Sequence, residues 1–128
     1  MREAIAMQPR RLVWFDVPVR DLARAMAFYE AVLQWNVKRE AAGVAVFEHE
    51  DASTGGCLVE EERSAPAEQG ALLYYNVNGR HEEAEHQVAL YGGKVLIPKH
   101  PIGPFGYRSI VLDSEGNRIA LHSEPEAA

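Results

Sequence analysis

The densest run of reactive side chains is His81-Glu82-Glu83-Ala84-Glu85-His86. Two imidazoles flanking carboxylates suggest a helical zinc site, but one-face binding on a helix wants histidines at i and i+4. Here they stand at i and i+5. The pattern therefore predicts a solvated helix face carrying His81/Glu85 and Glu82/His86 pairs. Cys57 is the only cysteine, which excludes an internal disulfide and a thiolate-rich zinc centre. Beside Leu58 it reads as a small core residue. Ser109 and Ser123 lack the Gly-x-Ser-x-Gly context of a hydrolase elbow, and no glycine-rich phosphate loop follows a strand. His49 and His100 fall in turns or loops. The run Lys99–Tyr107 is punctuated by proline and glycine and reads as a lid or rim. Phe105 and Tyr107 could there cover a ligand or anchor packing.

None of these groups makes a site without elements to position it. The chain has 128 residues, 47% hydrophobic and 25% charged, which is the composition of one globular domain. Thirteen basic residues face nineteen acidic ones, for a net charge of −6. Without a basic stripe, nucleic acid and anionic membranes are excluded as partners. No apolar run is long enough to span a bilayer, and the first residues are too short and too acidic for a signal peptide. A soluble, cytoplasmic protein is expected.

A faint internal repeat organises the chain. At an offset of 58 positions Val19 matches Val77, Ala31 matches Ala89, Val32 matches Leu90 and Val37 matches Val95. Leu12–Val19 is rich in β-branched and aromatic residues and predicts a strand. Asp21 then caps a helix whose apolar stripe is Leu22, Ala25, Met26, Tyr29, Val32 and Leu33, ending near Gln34-Trp35. Short strands follow over Val37–Glu40, Val44–Glu48 and Cys57–Glu60. The second copy runs from strand Ala71–Val77 through a helix capped by Asn78 and stopped by Gly92-Gly93. Strand Lys94–Ile97 and a hairpin over Tyr107–Leu112 and Asn117–His122 close it, with a frayed tail after Ser123. The order β-α-β-β-β occurs twice. One domain over 1–128 is predicted, with module one at about 9–62, a linker at about 63–69 and module two at about 70–123.

Phe15-Asp16-Val17-Pro18-Val19-Arg20-Asp21-Leu22 and Ala27–Leu33 resemble the opening module of the glyoxalase / bleomycin-resistance / extradiol-dioxygenase superfamily, the vicinal oxygen chelate proteins. Gly92-Gly93-Lys94-Val95 and Asp113-Ser114-Glu115-Gly116-Asn117-Arg118-Ile119 resemble its second module. Gln34 replaces a common glycine and Ser114 a common proline, both local turn changes. The resemblance implies an α+β fold in which two βαβββ modules form a U-shaped half-open barrel around a cleft. It also implies a homodimer, a small-molecule ligand and a divalent metal on the cleft floor that stabilises an oxyanion.

Carried over by spacing, the family's ligand positions fall on Trp14, Leu58, Leu72 and Ala120. None offers a suitable nitrogen or oxygen donor, so no metal is expected there and these side chains become an apolar floor. Two residues further along each strand, on the same face, stand Asp16, Glu60, Tyr74 and His122. They form a candidate proton-transfer set, with His122 as acid/base and Tyr74 as oxyanion donor. A displaced metal site on Asp16, Glu60 and His122 stays open, since such ligands are chemically adequate. Three readings follow: a metal-independent small-molecule binder or lyase/isomerase-like enzyme, a metal-dependent lactoylglutathione-lyase or dioxygenase relative with displaced ligands, or a protein that sequesters a drug or metabolite.

Overall fold

The computed structural model describes residues 12, 14–50, 53–60, 66–68 and 70–125. Most of the expected linker and the end of the tail lie outside the described residues, as does Val13. Eleven elements follow in order: β1 (Trp14–Val19), α1 (Leu22–Leu33), β2 (Val37–Ala41), β3 (Val44–Phe47), β4 (Gly55–Glu60), β5 (Tyr74–Asn76), α2 (His81–Leu90), β6 (Lys94–Pro101), a 3-10 turn (Gly103–Phe105), β7 (Tyr107–Leu112) and β8 (Arg118–Ser123). The fold is α+β, built from two βαβββ modules. Each module has a four-stranded mixed sheet, ordered β1-β4-β3-β2 and β5-β8-β7-β6, with the first pair parallel.

Local chemistry explains the first helix. Asp21 Oδ1 accepts from the Arg24 amide at 3.0 Å, and the stripe Leu22, Ala25, Phe28, Tyr29, Val32 and Leu33 is buried. The helix stops at Gln34, which takes the left-handed conformation with φ 61°. The second helix departs from expectation at its start. It begins at His81, and Asn78 does not cap it. The Asn78 side chain instead accepts the Glu124 amide at 3.0 Å, and Gly79, with φ 80°, turns the chain before the helix. Strand β6 also runs past its expected end. Pro98 and Pro101 fit because β6 is an edge strand with two register shifts.

One core joins the modules. It contains Val17, Phe28, Tyr29, Phe47 and Leu58 from module one, and Tyr75, Val88, Val111 and Leu121 from module two. Helix α1 packs against α2. Phe15, Phe28, Tyr29, Trp35, Phe47 and Tyr75 form a chain of ring contacts with centroids 5.1 to 6.0 Å apart. The Tyr29 hydroxyl donates to Asp113 at 2.6 Å across the modules. Burial pushes that phenol well above its usual range.

The turn Asp113–Asn117 braces this joint. Asp113 accepts the Glu115 and Asn117 amides at 2.9 and 2.8 Å, and Asn117 donates to the Pro18 carbonyl at 2.9 Å. Glu115 accepts the Arg20 and Asp21 amides at 2.8 and 2.9 Å and pairs with Arg24 at 2.7 Å. Burial opposes ionisation of Glu115. Arg24, Ser114 and these amides outweigh it and hold the carboxyl at about 2.

Candidate functional site

Each sheet has a helix-facing side and an open side. On the open side of sheet one stand Trp14 and Asp16. The Trp14 indole donates to Asp16 Oδ1 at 3.0 Å and the Cys57 thiol to the same oxygen at 3.2 Å. The parallel register pairs Asp16 with Cys57, so Cys57, buried as expected of a small core residue, shares the face of Asp16. Burial and the Asp16 carboxylate push its thiol up to about 11, which makes it a poor nucleophile.

The same register places Leu58 and Glu60 on the helix side. Leu58 is wholly buried in the core, and Glu60 Oε2 accepts the Leu22 amide at 2.6 Å, at the N-terminus of α1. Glu60 therefore does not join Asp16, Tyr74 and His122. A carboxylate there satisfies one of the orphan amides of α1 and suits its positive end.

Sheet two gathers more. Tyr74 and His122 contact edge to face, with centroids 6.2 Å apart. The hairpin register sets Arg108 opposite His122, and β6 sets His100 opposite Arg108. Arg108 donates to the Tyr74 hydroxyl oxygen at 2.6 Å and to His100 Nε2 at 3.1 Å. His100 Nδ1 donates to the Pro98 carbonyl at 2.9 Å, so neutral His100 has both nitrogens engaged. His122 Nε2 donates to the Phe105 carbonyl at 2.7 Å, which leaves Nδ1 as the acceptor nitrogen. Gly106, with φ 94°, makes this approach feasible: a side chain there would collide with the Ser123 carbonyl.

The remaining expected positions are dispersed. Leu72 precedes β5 and is half-buried, while Ala120 is fully buried beneath the face, paired with Tyr74. The Phe105 ring is exposed, and Tyr107 lies under the Lys99 ammonium at 4.7 Å. Several cavities border these faces. One of about 530 Å3 is walled by Phe15, Trp35 and Phe47 with Glu48 and Glu50 in its lining. One of about 300 Å3 lies where the modules meet, between Asp16, Pro18, Leu73 and Arg118. One of about 290 Å3 borders the start of α2.

The divalent metal that the sequence resemblance implies does not fit this arrangement. Asp16 is held by Trp14 and Cys57, Glu60 by α1 and His122 by Phe105, on different faces and modules. Among the described residues no three His, Cys, Asp or Glu side chains converge as a metal needs. Arg108 was not among the expected site residues, and His100, expected in a loop, lies in strand β6. Counting outward from the Asp113–Gly116 turn pairs Leu112 with Arg118 and hence Arg108 with His122, so the signal was present.

The family model for the bleomycin resistance protein-like N-terminal region matches residues 11–49. No curated protein sequence matches the chain. Among solved structures, hypothetical protein SA1046 from S. aureus is similar at 20% identity and a TM-score of 0.70, with 89% of this chain and 94% of that one covered. A glyoxalase/bleomycin resistance protein from Albidiferax ferrireducens T118 gives 17%, 0.73, 91% and 100%. The fosfomycin resistance protein FosX from Listeria monocytogenes, complexed with Mn(II) and sulfate ion, gives 16%, 0.69, 88% and 89%. The chain thus shares the fold of the glyoxalase/bleomycin resistance protein structures, and residues 11–49 of its first module are similar to the bleomycin resistance protein-like N-terminal family.

Proposed function

We propose that the protein binds a small organic carbonyl or carboxylate compound on the open face of module two. Chemistry there would be metal-independent proton transfer of the lyase or isomerase kind. The observation that carries the reading is the donor–acceptor array of Tyr74, Arg108, His100 and His122. Because Arg108 donates to the Tyr74 oxygen, the phenolic proton is directed outward to a ligand oxygen. The guanidinium supplies the positive charge that stabilises a developing oxyanion. The Nδ1 of His122 can accept a proton from carbon beside the carbonyl. A metal would supply Lewis-acid polarisation; here Arg108 and Tyr74 supply it instead.

The half-exposed ring of Trp14, at 43%, supports covering of the open face of module one by a second copy, which leaves Tyr74 free for the ligand. A reading of sequestration without chemistry is favoured by one observation, the aromatic-walled cavity with Glu48 and Glu50 in its lining. Aromatic faces and carboxylates both attract an organic cation.

The test is a thermal-shift and calorimetry panel of small 2-oxo acids against chelator-treated protein. Binding that survives chelation and weakens at least about tenfold in Arg108→Leu or Tyr74→Phe supports the reading. Binding that requires added metal, or that ignores both substitutions, overturns it. Uptake of organic cations alone, lost on Trp35→Ala, favours sequestration.

A further inference from the structure

Strands β7 and β8 alternate, so the neighbours of Arg108 and His122 point to the opposite side, under α2. There Ser109 and Ser123 meet His81, which is 2% exposed. His81 thus belongs to no solvated helix face. His81 Nδ1 lies 2.7 Å from Ser123 Oγ and Nε2 lies 2.6 Å from Ser109 Oγ. Ser109 Oγ in turn donates to Glu85 Oε2, which also accepts the Lys99 amide at 2.7 Å.

The direction of this chain follows from its end. An ionised carboxylate only accepts, so the Ser109 proton points to Glu85. The Ser109 oxygen then accepts from His81 Nε2–H. That fixes the tautomer, and Nδ1 is left to accept the Ser123 proton. Burial lowers the His81 pKa and favours the neutral imidazole that a base requires. The result is a carboxylate–hydroxyl–imidazole–hydroxyl relay, with a hydroxyl at the position of a nucleophile.

The nearly buried relay borders a cavity. Both His81 and Ser123 line the cavity of about 290 Å3 at the start of α2, with Gly79, Arg80 and Tyr107. No side chain caps this helix at Arg80, so its first-turn amides face that end and favour negative charge.

We propose that Ser123 is a nucleophile for small activated esters, with His81 as its base and Ser109 and Glu85 as positioning residues. Ser123 Oγ adds to the ester carbonyl carbon and its proton passes to His81 Nδ1. As the carbonyl re-forms, the bond to the leaving alcohol breaks and the alcohol oxygen takes that proton. Water repeats the sequence, with His81 as base, to release the acid and restore Ser123. This site is separate from the open-face array and rests on different side chains.

The test uses the full chain and 4-nitrophenyl acetate. The expected result is a burst of one nitrophenolate per chain, with the acetyl group mapped by peptide mass to Ser123. Ser123→Ala abolishes the burst while the melting curve stays that of the folded protein. His81→Gln slows acylation roughly 100-fold, and Ser109→Ala, which removes only a positioning group, slows it less. Should His81→Gln fail to fold, Ser123→Ala decides. No burst from the wild-type chain, an unchanged burst in Ser123→Ala, or acetyl found only on lysine would overturn the proposal.

Discussion

The two modules share an element order but fill the space between helix and sheet with different chemistry. Module one closes with apolar side chains: α1 buries Leu22, Ala25, Phe28, Tyr29, Val32 and Leu33. Module two buries only His81, Ala84 and Val88 from α2, and the histidine sits among two serines and a carboxylate. The open faces differ in the same direction. Asp16 is consumed internally by Trp14 and Cys57, whereas Tyr74, Arg108 and His122 leave a donor, a cation and an acceptor directed outward. On the proposed reading, module one serves as the scaffold and module two carries the reactive groups. A repeated topology therefore does not imply a repeated site.

The largest effect should come from the scaffold half. Phe28→Ala removes a fully buried ring between the helices and should cost about 3–5 kcal/mol in urea unfolding. Val88→Ala in α2 should cost about 2 kcal/mol. Equal losses would break the contrast between the helices.

Next comes the brace. Glu115→Gln should cost about 2 kcal/mol, because charged hydrogen bonds to buried amides are lost. The sign with pH follows from the carboxyl held at about 2 against a usual value near 4.5. A lowered folded pKa stabilises the native state above the usual value, and that stability disappears as pH falls from 4.5 toward 2. Unfolding midpoints of Glu115→Gln should lose this part of the acid dependence. An unchanged acid limb would remove Glu115 from its assigned role.

Arg108→Leu should cost no more than about 1 kcal/mol of stability, for a half-buried side chain that loses hydrogen bonds to Tyr74 and His100, yet cost ligand about 1.5–3 kcal/mol. Calorimetry and urea unfolding on the same preparation separate the two. Asp16→Asn is the control in module one and should leave affinity unchanged.

The smallest effect tests the helix stops. Module two stops α2 with Gly92 at φ 91°, while module one uses Gln34 at φ 61°. Gln34→Gly should raise stability by about 0.5 kcal/mol, the left-handed cost less the entropy that glycine adds to the unfolded chain. A loss of stability would show that Gln34 contributes contacts that outweigh its backbone conformation.

The sequence made the fold legible because helix stripe, hairpin turn and repeat agree with one another. It also brought Tyr74 and His122 together: the Asp113–Gly116 turn anchors the phase of the strand that carries His122, and Val77 before the second helix anchors that of Tyr74. Glu60 was misplaced for want of such an anchor. Strand β4 begins at Gly55, two residues before the expected start, and its phase comes from pairing with β1. His81 was read as solvated because its partners lie 28 and 42 residues away, a distance that helical periodicity cannot register.

The most direct test is NMR titration of the imidazole, guanidinium and indole side-chain signals with the tightest 2-oxo acid from the panel. Shifts confined to His122, His100 and Arg108, with the Trp14 indole unmoved, are the predicted result. Shifts at the Trp14 indole that leave His122 and Arg108 unmoved would contradict the assignment of chemistry to module two.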